Sequence, residues 1–425
     1  MIRLLEGVRV LESAQLLNGD TLGMFLGDLG ADVVKIEAPP NGDYLRHFLG
    51  QIAPAYSVPH LQVNKNKRSV TLDVRAEAGR EVFWRLVEGA EIFVDGNRPG
   101  VLDRLGIGYE AMRTHNPRIV YVSCTAFGAN GPYARIPAHG MMMGAIAGSH
   151  LRARGDDGLL HRQEPTGTGT ELAGEATVIA AMQAALYACA ALVRARATGE
   201  GANIDVAACD AAVLSAYFPV DLALNDARIT DRAGMPDMVG GEMTGARYNF
   251  YETRDGHVVL LAAIEPRFWR NFCQAVGRED LLAEASPTDG GAVDFGTPEL
   301  RHRLAEVFLT RDLADWVALA AAHDITLGPA NQGVAEMAAD PNIRGRQILV
   351  DTEHPVAGPF TCVGSPAVIA GQPYEVRIPA PAAGEHTRQV LREAGLSDPE
   401  IDQLRDQGLV TEAGPLTGAT AARRG

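Results

Sequence analysis

The chain has 425 residues, of which 38 are Lys or Arg and 53 are Asp or Glu, so its formal net charge is −15. An acidic protein repels phosphate backbones, which argues against nucleic-acid binding but allows a local basic patch for a small anion. The hydrophobic share of 46% and the charged share of 21% are typical of a globular chain, and the length predicts two or three domains.

The five cysteines are odd in number, lie far apart and form no CxxC pair. This usage predicts reduced thiols rather than a disulfide framework, and it indicates no metal site. The amino terminus lacks the apolar core of a signal peptide. The most apolar stretch starts at Val178, is interrupted by Gln183, and falls short of the roughly 20 residues of a membrane span. We therefore expect a cytoplasmic protein with no membrane segment, in which this stretch is a buried helix.

The first third of the chain alternates short apolar strands with amphipathic helices. One helix is predicted where four apolar residues recur at the spacing of a helical face, from Leu22 to Leu29, and another spans Glu77–Glu88. The predicted strands are Val8–Leu11, Asp32–Glu37, Ser69–Val74, Glu91–Val94 and Arg118–Ser123. Strands that alternate with helices predict an α/β fold with a mostly parallel sheet.

The pattern changes after the TGEG turn at 198–201. Two strands, Tyr248–Thr253 and His257–Ala263, flank an Asp-Gly turn, and two amphipathic helices follow near Phe268–Val276 and Leu300–Leu309. We predict a large domain that begins with 1–224, a smaller α+β domain at 225–332, and a return segment at 333–410 that completes the large domain. Residues 411–425 are small and polar, and they predict a disordered tail.

Five segments that follow one another along the chain carry recognisable motifs. They are GVRVLE with LGDLGADVVKIEAPPNGDYLR between Gly7 and Arg46, NKNKRSVTLDV from Asn64, NRPGVLDRLGIGYE with NPRIVYVSCTAFGANGPY between Asn97 and Tyr133, RARATGEGANIDVAACDA from Arg194, and AGEHTRQVLREAGLSDPEIDQL from Ala383. Each motif is weak alone. Together, in this order and spacing, they resemble the class III coenzyme A transferases, the carnitine-dehydratase and bile-acid-inducible family.

The resemblance implies a Rossmann-like large domain with a smaller α+β domain, and two chains interlinked like rings. It implies an acyl-CoA and a carboxylic acid as substrates, with no metal and no permanently bound cofactor. The partner chain would be a second copy or a related chain in a hetero-oligomer.

The resemblance also places coenzyme A against the large domain, where its phosphates need basic side chains. Gln15 directly follows the first strand, where ligands usually approach a parallel sheet. The candidates for CoA contact are Gln15, Arg46, Lys65, Lys67, Arg68, Asn97, Arg98 and Arg104. Alternatively, the basic residues form only a solvated surface, and Gln15 is an ordinary amide in a loop.

Members of this family carry the acyl group on an aspartate that precedes an Ala/Leu-rich helix. Here the corresponding segment, GTGTELAGEATVIAAM, has no aspartate, and Glu171 and Glu175 are its only carboxylates. Either is a candidate acyl carrier, with Glu175 at the better spacing. The longer side chain would need a shifted backbone, because about 1 Å of misplacement can cost about 10²-fold in rate. Alternatively, both glutamates only stabilise a helix amino terminus.

Two further segments, PAHGMMMGAIAG and LLAAIEPRFW, resemble α-methylacyl-CoA racemases of the same fold. In those enzymes a histidine in the first segment and an aspartate before the long helix exchange the α-proton, and a glutamate in the second segment supports the histidine. The residues here that match the histidine and the glutamate are His139 and Glu265, and the aspartate has no counterpart. Gly140 replaces the acidic residue that normally follows the histidine, so the racemase pattern is broken. The alternative is that His139 is an ordinary loop histidine.

Gly240 and Gly241 lie where transferases carry a mobile glycine loop, although a plain interdomain loop fits the same residues. Three functions stay open at this point. The leading one is transfer of CoA between an acyl-CoA and a carboxylic acid. The others are a non-catalytic partner subunit that has lost the aspartate and a racemase-like isomerase.

Overall fold

The computed structural model describes residues 1–162, 176–232, 234–239, 242–284 and 293–413. The chain forms two compact units. The first comprises Met1–Ser149, Leu172–Ala216 and Arg346–Gly425, and the second comprises His150–Glu171 and Tyr217–Gly345. The second unit therefore extends beyond the predicted 225–332 at both ends and also receives an earlier segment of the chain.

The first unit is built on a six-stranded parallel sheet. Its strands are β1 (Arg9–Ser13), β2 (Asp32–Glu37), β3 (Lys67–Thr71), β4 (Ile92–Asp95), β5 (Val120–Thr125) and β6 (Ala202–Ala207). The strand order is β6-β5-β4-β1-β2-β3, with every pairing parallel. This is the Rossmann order, in which the direction of winding reverses between β1 and β4. The α/β prediction is confirmed.

Helices cover both faces of this sheet. One face packs against α1 (Leu17–Asp28), α4 (Ala176–Thr198) and α5 (Ala208–Ser215), and the other against α2 (Glu77–Glu88) and the carboxyl-terminal helices. The short helix α3 spans Met142–Ile146. The remaining helices of this unit are Val58–Val63, Val101–Arg104, Tyr109–His115, Thr387–Glu393, Asp398–Asp406 and the 3₁₀ helix Tyr44–His47.

Within the described ranges, α4 is the helix long and apolar enough to cross a membrane by length and composition. Its buried alanines lie in the core against the sheet and α1, and they are Ala176, Ala180, Ala181, Ala184, Ala185, Ala188 and Ala195. Small side chains allow this close packing, as expected for a core helix. The opposite side exposes larger apolar residues, including Met182, Leu186 and Val193.

The return segment, from Arg346 onward, covers the edge of the sheet at β3. The His386 amide donates to the Ser69 carbonyl at 2.9 Å, and the Asp73 amide donates to the Leu409 carbonyl at 2.8 Å. These bonds satisfy an edge that would otherwise be open to pairing with another chain. Two antiparallel ribbons complete the unit, Gln51–Ala53 with Tyr56–Ser57 and Leu349–His354 with Gly358–Val363.

The second unit has a three-stranded antiparallel sheet of Tyr248–Glu252, Val258–Ala262 and Leu327–Pro329. Its core stacks Trp269, Phe272, Phe308 and Trp316. The helices are Tyr217–Asn225, Pro266–Ala275, Pro298–Phe308, Leu313–His323, Val334–Ala339, Pro341–Gly345 and the 3₁₀ helices Asp226–Arg228 and Glu279–Glu284. Two short ribbons pair Arg152–Arg154 with Leu160–Arg162 and Met238–Val239 with Glu242–Met243.

Candidate active site

A cavity of about 870 Å³ lies in the first unit at the carboxyl ends of β1, β4 and β5. We call it the switch-point cavity, because the strand order reverses beside it and ligands of open α/β sheets bind at such points. Of the residues named from the sequence, Gln15, Asn97, Arg98 and His139 line this cavity. The structure thus places four predicted site residues around one space, and their roles stay predictions.

Asn97 is held rigidly at the end of β4. Its side-chain amide donates to the Ser13 carbonyl and to Asp95 Oδ1, both at 2.9 Å, and its backbone amide donates to the same Asp95 oxygen at 2.8 Å. The Tyr121 hydroxyl donates to the other oxygen of Asp95 at 2.5 Å. Burial raises the pKa of the Asp95 carboxyl. This network fixes an amide side chain between the two strands where the order reverses.

The loops after β1 and β4 approach each other closely because both contain glycine at the contact. A Cβ atom on Gly96 would lie 2.7 Å from the Ala14 Cβ, and one on Gly19 would lie 3.1 Å from the Gly96 Cα. Any side chain at either glycine would push α1 away from the sheet. The glycines therefore bring the start of α1 to the edge of the cavity.

Leu16, which also lines the cavity, has a backbone conformation that leucine rarely adopts, with φ 61° and ψ −149°. Its amide donates to Asp43 Oδ2 at 3.1 Å. The same carboxylate accepts from Lys35 Nζ at 3.0 Å and from the Leu45 amide at 2.9 Å. The strained loop is thus fixed by a buried carboxylate, because such conformations persist only where the surroundings hold them.

Asp43 belongs to a group of five ionisable residues in the interior, which we call the buried charge cluster: Glu12, Asp20, Lys35, Asp43 and Lys67. Lys35 Nζ contacts all three acidic members and donates to the Ala14 carbonyl at 3.0 Å. Lys67 Nζ lies 3.0 and 2.7 Å from the two oxygens of Glu12. Buried charges need such partners, since an unpaired one costs several kcal/mol.

The two lysines of this cluster differ in their electrostatics. Burial disfavours a charged Lys35, but Asp20, Asp43 and Glu12 outweigh it and hold the pKa of Lys35 well above its ordinary value. Burial lowers the pKa of Lys67, although Glu12 and Asp20 oppose that change. Lys35 is the cation that contacts all three carboxylates, and Lys67 is a second partner of Glu12.

The other cations expected to contact CoA are also engaged inside the protein. Arg46 is buried and bonds Glu37 at 2.6 Å, Lys65 bonds Asp28 at 2.9 Å, and Arg68 bonds Asp32 at 2.6 Å. The predicted basic cluster does not face solvent at four of its positions. Each of these residues is buried and has a carboxylate partner, and they are Arg46, Lys65, Lys67 and Arg68. Their contact with CoA stays a prediction. Arg98 and Arg104 are exposed.

The Arg46–Glu37 pair gives a pH prediction. Burial alone would raise the pKa of Glu37, but Arg46 outweighs it and lowers the pKa to about 2 from an ordinary value of 4.5. Because the folded pKa is depressed, the ionised Glu37 stabilises the fold fully above pH 4.5, and this contribution is lost as the pH falls towards 2.

We expect Glu37→Gln to lower the free energy of unfolding by about 3 kcal/mol at pH 7, and by progressively less at pH 4 and 3. Urea unfolding at the three pH values measures this. Glu6→Gln, at an exposed site, is the matched control and should change stability little at any of them. If the loss of unfolding free energy in Glu37→Gln were the same at all three pH values, a lowered pKa of Glu37 in the folded protein would be contradicted.

A smaller cavity of about 180 Å³ lies at the carboxyl ends of β1, β2, β3 and β4 and shares Gln15 and Asn97 with the switch-point cavity. Its lining includes Asp73, Val74 and Arg75, which follow β3. Arg75 is an exposed cation that is not among the candidates named from the sequence. Its position shortly after a strand could have indicated it as a candidate, as the same position did for Gln15.

Four of the predicted site residues, Glu171, Glu175, Gly240 and Gly241, lie outside the described residues, as do residues 414–425 of the predicted tail. In the sequence, Glu175 directly precedes α4, whose Thr177 lines the switch-point cavity.

Glu265 occupies the N-cap position of the helix Pro266–Ala275 in the second unit, whereas His139 belongs to the first. Their pairing stays a prediction. No group of three or more metal-ligating side chains occurs among the residues described.

Comparison with known proteins extends these observations. The model of CoA-transferase family III matches residues 5–387. A formyl-CoA:oxalate CoA-transferase of Streptomyces avermitilis is 30% identical, over 96% of this chain and 100% of that protein. The one from Streptomyces coelicolor is 29% identical, over 96% and 99%.

Solved structures agree with the sequence relatives. A CAIB/BAIF family protein from Brucella suis aligns with a TM-score of 0.68 at 25% identity, covering 93% of this chain and 100% of its own. A protein from Mycobacterium tuberculosis gives a TM-score of 0.66 at 26% identity, over 91% and 99%. The resemblance drawn from the motifs is therefore confirmed, and this chain is an enzyme of CoA-transferase family III.

Proposed function

We propose that this enzyme transfers CoA between an acyl-CoA and a carboxylic acid, with CoA bound along the carboxyl ends of β1, β3 and β4. The observation that carries the proposal is the pair of adjoining cavities that share Gln15 and Asn97 at the reversal point of the sheet. Arg75 lines the smaller cavity and Arg98 the larger one, so each can offer a guanidinium to a phosphate or carboxylate.

The chemistry proposed for Glu175 is covalent. Its carboxylate attacks the thioester carbonyl, which gives a mixed anhydride and the CoA thiolate. The thiolate then attacks the glutamyl carbonyl, forming a glutamyl-CoA thioester and releasing the first carboxylic acid as its carboxylate. The acceptor carboxylate reverses these two steps, which returns a new acyl-CoA and the free glutamate.

The printed names of the relatives make formyl-CoA and oxalate the first donor and acceptor to test. The purified chain is incubated with each acyl-CoA donor and carboxylate acceptor, and the new thioester is quantified by liquid chromatography and mass spectrometry. Turnover by the chain alone is the expected result. No exchange with any pair, in a chain that still binds CoA, would overturn the proposal.

A non-catalytic partner role is the second candidate, because the segment before α4 has no aspartate. In that case exchange appears only after a related chain with the aspartate is added. A racemase would instead place solvent deuterium on the α-carbon of the acyl group, and His139→Ala would abolish that exchange.

We further propose that two copies associate through the exposed apolar side of α4. Met182, Leu186 and Val193 are 53%, 61% and 71% exposed, and Leu214 of α5 adds another exposed apolar side chain in the same unit. Exposed apolar side chains repeated along one helix are compatible with an association site. Light scattering should give twice the chain mass of 45.2 kDa. Leu186→Glu should shift the protein towards the monomer, and a stable, well-folded parent monomer would contradict this.

A further inference from the structure

Six large apolar side chains that are exposed in the first unit line the switch-point cavity. Their exposed fractions run from 41% for Met142 to 67% for Met141. The six are Tyr44, Phe48, Leu49, Ile136, Met141 and Met142. Exposed apolar residues of soluble proteins are usually scattered singly, so their grouping around one concave site indicates a ligand with an apolar part.

The backbone at two cavity leucines supports the same conclusion. Leu16 and Leu49 have φ angles of 61° and 59°, in the region that favours glycine or asparagine. Leucine at such a position is strained, and glycine would relieve the strain. An apolar side chain kept there despite the strain suggests that its contact with a ligand matters.

The charges of the cavity point away from a small dianion. Of the described residues that line it, Arg98 is the permanent cation, and Gln15, Asn18 and Asn97 add uncharged amides. Both carboxylates of an oxalate would need charged or hydrogen-bonding partners once removed from water. One guanidinium in a predominantly apolar lining suits a single carboxylate or thioester attached to an apolar chain.

We propose that the switch-point cavity binds an apolar acyl group of about six or more carbon atoms, so that this enzyme uses medium-chain or larger acyl-CoA thioesters. The inference rests on the proposed CoA transfer and names its substrate class. Gln15 and Asn97, which line both cavities, lie where the CoA part would continue into the acyl part.

The test compares kcat/KM for acetyl-, butyryl-, hexanoyl- and octanoyl-CoA with one common acceptor acid. We expect a rise that approaches about 4-fold for each methylene that becomes fully buried. Affinities for the same thioesters, measured by calorimetry, should rise with chain length in the same way, even if no turnover occurs. The binding measurement therefore tests the acyl preference separately from CoA transfer.

Leu49→Asn is the decisive variant, because asparagine tolerates the positive φ and the fold should be at least as stable. It should lower the octanoyl-to-acetyl ratio of kcat/KM by about tenfold, since it places a polar group against the acyl chain. Leu4→Asn, at a leucine that is 59% exposed and outside the cavity lining, is the matched control and should leave the ratio unchanged.

Three results would overturn the inference. One is a chain-length profile that is flat in both rate and affinity. Another is a preference for oxalate and formyl-CoA that Leu49→Asn does not alter. The third is loss of self-association by Leu49→Asn with an unchanged chain-length profile, which would assign the apolar residues to contact with a second copy.

Discussion

Lys35→Met is expected to lower the free energy of unfolding by at least about 3–5 kcal/mol, the range measured when one partner of a buried ion pair is removed. Lys35 is the shared partner of Glu12, Asp20 and Asp43, and methionine preserves much of its volume while removing the charge. Three carboxylates would then remain buried with Lys67 as the nearest remaining cation of the cluster. Urea unfolding followed by circular dichroism measures the loss.

Lys65→Met is the matched control. Lys65 is buried to a similar degree, but it pairs with Asp28 alone, and that carboxylate is 10% exposed. Solvent can therefore stabilise Asp28 after the substitution, and we expect a clearly smaller effect. Equal losses for the two variants would show that burial of the lysine stem, rather than neutralisation of three acids, accounts for the effect.

Glu175→Gln should lower kcat by roughly 10⁴-fold or more, as loss of a covalent nucleophile does elsewhere, while the affinity for acyl-CoA stays close to that of the parent. The amide is nearly isosteric but cannot attack a thioester, so the lost interaction belongs to the reaction and not to binding. Single-turnover kinetics and calorimetry separate the two quantities.

Glu171→Gln is the control from the same segment and should retain most of the activity. Incubation with acyl-CoA followed by hydroxylamine should convert the side chain of the acyl carrier to a hydroxamate, which peptide mass spectrometry locates. A hydroxamate found on Glu171 would show that Glu171, and not Glu175, is the acyl carrier. No mark with full activity in both variants would exclude a glutamyl intermediate.

Much of the first unit could be predicted because its signals are local. The β-branched run DVVKIE predicts β2 at Asp32–Glu37, and the apolar spacing within Glu77–Glu88 predicts α2, both with the observed bounds. The carboxyl end of β1 makes Gln15 a candidate, because ligands approach a parallel sheet at that edge. Asn97 is a candidate only through the family motif that it begins.

The surroundings of the cations could not be predicted in the same way. Lys35 and Lys67 carry the sequence signal of surface residues, yet they are buried because Glu12, Asp20 and Asp43 meet them from other elements of the fold. Such partners are separated by 8 to 55 residues along the chain, and no local pattern reports their encounter. In the sequence, Met141 and Met142 are compatible with either an acyl pocket or core packing, whereas Tyr44, Phe48 and Leu49 come to the same cavity only in the folded unit.

The bonds from the return segment to β3 have a consequence for synthesis on the ribosome. The edge formed by Ser69 and Asp73 receives its partners at His386 and Leu409, more than 300 residues later. The six strands and the whole second unit emerge before this edge is covered, so each nascent chain exposes an unpaired strand edge for most of its translation. A ribosome stalled after residue 345 would therefore hold a chain prone to aggregation, and slow codons near the 3′ end of the message would lengthen the time at risk.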